Sequence, residues 1–112
     1  MEKIVQQGIL YDFYGELLTE HQKQVYESVV YENLSLGEIA GDMGVSRQAV
    51  HDMIKRTDRI LEGYEEKLGL IRRFDEVRSR IDDCIGMAGG SPLGDKEQAD
   101  LLDRLKEIRE II

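Results

Sequence analysis

The sequence predicts an all-α protein: a helical bundle containing a helix-turn-helix, followed by long amphipathic C-terminal helices. Three observations carry this. The lone proline of the 112-residue chain is Pro92, so no residue before it is barred from a helix interior. Apolar residues recur at spacings of three and four, and strand-length alternation is hard to find. Hydroxyl-bearing residues stand where first-turn N–H groups need acceptors.

The first helix is expected over roughly Lys3 to Leu18, with Ile4, Tyr11, Tyr14 and Leu18 on one face. Gly8 and Gly15 weaken it by about 1 kcal/mol each relative to alanine, so packing must hold it. Thr19-Glu20-His21-Gln22 and Ser35-Leu36-Gly37-Glu38 have the spacing of capping boxes, so helices should start there. Leu34 with Ile39, and Val45 with Val50, sit at the two positions of a hydrophobic staple, eleven residues apart.

From Val50 the apolar positions advance through Ile54, Thr57, Leu61, Tyr64, Leu68 and Ile71, a heptad seam. The stripe slips near Gly69, where a tight turn is expected, and resumes as Leu70, Phe74, Val77, Ile81 and Cys84. Cys84 is expected to pack there as a small hydrophobe. Residues 86–94 hold four glycines with Ser91 and Pro92 and read as a linker. A last amphipathic helix follows, with Leu101, Leu105, Ile108 and Ile112 aligned. This divides the chain into a helical domain over 1–68, with the helix-turn-helix at 35–57, and a helical extension over 69–112.

Composition narrows the function. Fifteen Lys and Arg stand against 23 Asp and Glu, a formal charge of −8, so nucleic-acid contact has to come from a local face. One cysteine allows no internal disulfide, and apolar runs such as Ile9–Tyr11 stay far below the roughly 20 residues that cross a bilayer. A cytoplasmic protein is expected. His21 and His51 lack metal-ligand spacing, and no phosphate loop, dinucleotide turn or nucleophile elbow is present, so neither cofactor, metal nor enzymatic activity is expected.

The stretch from Leu36 to Lys55 fits a helix-turn-helix. Ala40 is small where two helices cross, Gly44 can take the positive φ that ends the first helix, Val45 plugs the turn and Ser46 caps the second helix. Val50 and Met53 should anchor that helix against Ile39 and Met43, leaving Arg47, Gln48, His51, Asp52, Lys55 and Arg56 outward. In such a motif arginine can bind a guanine edge and glutamine an adenine edge, which suits Arg47 and Gln48. Lys55, Arg56 and Arg59 would lie over phosphates, and the helix starts at Ser35 and Ser46 offer N–H groups to the same anions. Candidate nucleic-acid-binding residues are therefore Ser46, Arg47, Gln48, His51, Lys55 and Arg56. Residues 35–61 are electrically neutral, and Asp52 opposes phosphate. A three-helix core of the same geometry that binds protein, or nothing, is the competing reading.

Thr19 to Leu61 resembles the fourth region of bacterial sigma factors. More closely, Asp12-Phe13-Tyr14, Leu17-Leu18-Thr19, Ser35 to Ala40, Ser46 to Thr57 and Glu65 to Leu68 resemble the YlxM family of small bacterial proteins. That resemblance implies a cytoplasmic, all-helical DNA-binding regulator associated with the signal recognition particle. Two partner classes follow: DNA, or the signal recognition particle protein or its RNA, bound by an adaptor that reads no DNA. Self-association as a homodimer or higher homo-oligomer is also expected, through the 50–71 seam and the C-terminal stripe, against the alternative that these stripes fold within one chain.

Overall fold

Capping side chains and two left-handed glycines set the element boundaries of the computed structural model, which describes residues 2–89 and 94–111. The helices are α1 (Lys3–Tyr14), α2 (Glu20–Val30), α3 (Leu36–Met43), α4 (Arg47–Leu68), α5 (Leu70–Gly89) and α6 (Asp95–Ile111). Among the described residues there is no strand, so the chain is all-α. It forms two compact units, residues 1–71 and 72–112.

Both predicted capping boxes are present. The Thr19 hydroxyl accepts from the Gln22 N–H while the Gln22 side chain accepts from the Thr19 N–H; Ser35 and Glu38 do the same. The first helix is shorter than its apolar spacing predicts. It ends at Tyr14 and passes into a 3-10 turn over Gly15–Leu17, leaving Leu18 extended before the Thr19 cap. A Cβ on Gly15 would lie 3.0 Å from the Tyr11 ring, so the tighter turn works because this residue has no side chain.

The core of the first unit is built from Tyr11, Tyr14 and Leu18, Val25 and Tyr26 of α2, Ile39 and Ala40 of α3, and Val50, Ile54 and Leu61 of α4. Thus α4 is the axis on which α1, α2 and α3 pack. Most of the predicted seam is consumed here: Val50, Ile54, Thr57 and Leu61 are buried within their own chain, Tyr64 and Ile71 pack against that core, and Leu68 is exposed. That corrects the expectation that this seam offers a surface for self-association.

Tyrosines supply both stacking and polar anchoring. Tyr11 stacks on Tyr26 with centroids 5.8 Å apart and meets Tyr31 edge-on at 5.5 Å. Their hydroxyls find carboxylates: Tyr11 donates to Glu27 at 2.5 Å, Tyr26 to Asp58 at 2.6 Å, and Tyr31 to Asp12. Tyr14 donates to Glu65 at 2.5 Å. Its oxygen accepts the Leu70 N–H, and Glu65 accepts the Ile71 N–H at 3.0 Å, so the pair satisfies the free first turn of α5. The predicted turn at Gly69 is real, with φ +63°.

In the second unit, α5 and α6 run antiparallel. Gln98 donates to the Ala88 and Gly89 carbonyls, and Arg109 lies 3.0 Å from Asp82, so the pairs widen in sequence away from the connection. The predicted linker is narrower than its glycines suggest. Gly86 and Gly89 lie in α5, because single glycines only weaken a helix that packing supports. Residues 90–93 of that linker, and Ile112 of the last stripe, lie outside the described residues. Cys84 is exposed and not packed as expected: it sits beside the inward line through Ile81 and Ala88. Among the described residues no helix is long and apolar enough to cross a membrane.

Candidate nucleic-acid interface

The turn between α3 and α4 has the geometry its residues prescribe. Gly44 takes φ +70° and ψ +32°, and both its N–H and that of Val45 are taken by the Ala40 carbonyl, closing α3. The Ser46 hydroxyl accepts the Ala49 N–H at 3.0 Å and opens α4. Ile39, Ala40 and Val50 are buried, with Met43 and Met53 packed against them, as the inward face requires. Val45 does not plug the turn: it is 42% exposed, while Val50, its expected staple partner, is fully buried.

The predicted contact residues fall on one side of α4, with differences among them. Ser46, Arg47, Gln48, His51 and Arg56 are exposed and Lys55 is half-buried. Arg47 runs close to Gly37, whose missing Cβ would be 3.8 Å from its Cδ and Nε, so its side chain lies along the first turn of α3. Gln48 is engaged: its amide donates to Asp52 Oδ1 at 2.9 Å, one turn on. His51 Nδ1 lies 3.6 Å from the same oxygen. Thus Asp52 both places a negative charge among the contact residues and occupies the amide that would read adenine.

His51, Asp52, Lys55, Arg56 and Arg59 line a shallow groove along α4. Arg56 also borders a second depression with Thr19, His21 and Gln22 at the start of α2. The two helix starts proposed for phosphate differ. At α3 the box commits the Ser35 N–H to the Glu38 carboxylate and leaves an exposed acid at the helix start, which opposes an anion. The first turn of α4 contains no acidic residue and is the better anion site.

Two residues at this site escape sequence reading. Lys3 comes from α1 to the side of Lys55, whose ammonium it holds below the ordinary lysine value, first through a hydrogen bond between the two side chains and then through like-charge repulsion. Nothing in the sequence pairs residues 3 and 55; only α1 packing on α4 does. Asp58 counts as one more acid in the charge balance, yet it is buried, taking Gln7 Nε2 at 2.9 Å and Tyr26 on one oxygen, with Lys3 Nζ 4.0 Å from the other. Its position four residues after Ile54 was the available signal. Removed from the outer face, Asp58 no longer opposes phosphate.

The profile of YlxM / p13-like helix-turn-helix proteins (UPF0122) matches residues 1–89. A UPF0122 protein of Listeria innocua is 41% identical over 107 residues, covering 96% of this chain and 97% of the relative. One of Geobacillus kaustophilus is 43% identical over 111 residues, covering 96% and 98%. The UPF0122 protein YlxM of Bacillus subtilis is 41% identical over 108 residues, covering 96% and 97%.

Proposed function

The chain belongs to the UPF0122 family of YlxM / p13-like helix-turn-helix proteins, and we propose that it is a DNA-binding regulator that works by contact, without a catalytic step. One observation carries this reading. The first three turns of α4, fixed by the Gly44 turn and the Ser46 cap, hold Arg47, Gln48, His51, Lys55 and Arg56 on one side, with Arg59 continuing the cationic row. Arg47 and Gln48 lie at the end that enters a major groove, while Lys55, Arg56 and Arg59 track phosphates.

Binding to genomic DNA fragments across a salt series tests it. Neutralised phosphates release counterions, so log K is expected to fall linearly with log salt, with a slope of about −0.9 per phosphate contacted. Undetectable binding at about 50 mM salt refutes the reading.

A second reading is favoured by the −8 charge, all of which lies outside residues 35–61. In it the protein is a cytoplasmic adaptor that engages the signal recognition particle protein or its RNA. Co-purification with and without ribonuclease separates the readings. An RNA-dependent or protein-dependent particle complex, with no affinity for DNA, supports the adaptor.

A further inference from the structure

Two helices cannot enclose a core, and the second unit shows the consequence. Among its described residues only Ile81 and Ala88 are buried. Val77 (37%), Met87 (76%), Leu101 (38%) and Ile108 (46%) are exposed, as is Cys84. These positions share a face. At 100° per residue, Val77, Cys84 and Met87 fall to one flank of the Ile81–Ala88 line on α5. On α6, Leu101 and Ile108 fall to one flank of the partly covered Gln98–Leu105 line. In antiparallel helices those two flanks lie on the same side of the hairpin. Its members recur at sevens, Val77 with Cys84 and Leu101 with Ile108, the period of helices that pack on further helices.

Charge identifies the occupant. At the end of the hairpin away from the connection, residues 72–80 hold four arginines against two carboxylates, and residues 104–110 hold three cations against two. Near the connection, residues 83–89 and 94–103 hold five carboxylates against Lys96 alone, while Asp82 is paired with Arg109 between the two ends. The hairpin therefore has a basic end and an acidic end, and it complements a reversed copy of itself. Arg73 and Arg80 lie on the apolar side of α5, and Glu97 and Asp100 on that of α6.

We infer that the α5–α6 face is a self-association surface on which a second copy of this chain docks with its hairpin reversed, basic end on acidic end, completing a four-helix bundle about a two-fold axis. A copy docked in the same direction would set acid on acid. This rests on the second unit alone and stands whether or not α4 binds DNA.

Sedimentation equilibrium of the full chain from micromolar to sub-millimolar concentration tests the surface. The expected result is a concentration-dependent doubling of mass, lost in Leu101→Gln/Ile108→Gln with its helical circular dichroism retained. The orientation is tested by charge reversal. Arg73→Glu/Arg80→Glu and Glu97→Lys/Asp100→Lys should each self-associate about tenfold or more weakly, and an equimolar mixture should recover a mixed dimer. A wild-type chain that stays monomeric overturns the inference and leaves the face to a different partner. So does undiminished dimerisation of Leu101→Gln/Ile108→Gln. Charge-reversed variants that fail to recover on mixing overturn the reversed arrangement.

Discussion

Asp52 decides how the candidate interface behaves, because it adds a negative charge beside Lys55 and Arg56 and ties down Gln48. Asp52→Ala removes both effects at an exposed helical site. It is expected to tighten DNA binding by about 0.5–1 kcal/mol, or two- to fivefold, read by fluorescence anisotropy at low salt. Unchanged affinity would mean that α4 does not approach phosphate at this position. Inside the fold, Tyr26 and Gln7 share one oxygen of buried Asp58. Tyr26→Phe withdraws the shorter of these bonds from a carboxylate that water does not reach, and should cost about 1–3 kcal/mol in urea denaturation.

The Gly44 turn and the Ser46 cap fix the angle at which α4 presents Arg47 and Gln48. A Cβ at Gly44 would meet nothing within 4 Å, so a substitution there reports the backbone alone. Gly44→Ala forces an L-residue to hold φ +70° and is expected to cost about 1–2 kcal/mol of stability, measured by thermal unfolding. It should also weaken DNA binding, because relief of the strain re-aims α4. The boundaries of these elements were legible in the sequence, since Thr19, Ser35, Ser46, Gly44 and Gly69 act on backbone groups a few residues away. The end of α1 was not. Its apolar spacing runs through to Leu18, and the close approach of Gly15 to the Tyr11 ring appears only once the helix has been broken.

At the scale of the molecule, Tyr11, Tyr14 and Tyr26, buried between α1, α2 and α4, with Tyr31 at the exposed edge of the group, make the fold sensitive to alkali. Burial and then the Glu27 carboxylate push the Tyr11 hydroxyl above its ordinary value; burial and then Glu65 act likewise on Tyr14, and burial and then Asp58 on Tyr26. The hydrogen bond to Asp12, followed by burial, pushes Tyr31 up to about 12. Each folded value lies above the unfolded value of about 10, so each contribution is complete below that pH and is lost as pH rises through the folded values. The urea midpoint should hold steady up to about pH 9 and then fall, with phenolate absorbance growing alongside unfolding. Phenolate absorbance that reaches its full value near pH 10, with the helical signal intact, would contradict this network.

By itself the sequence determined the helices, their caps, the helix-turn-helix and the residues at the start of α4, because hydroxyl caps, left-handed glycines and periodicity are local properties of a chain. Tertiary structure alone decided how those residues are used. It turned the α4 seam inward, took Asp58 out of the surface charge and set Lys3 beside Lys55. It also left Val77, Cys84, Leu101 and Ile108 uncovered on one face. Periodicity names the side of a helix that seeks burial; which apolar side finds a neighbour depends on how elements distant in sequence pack, and that carries no local signature.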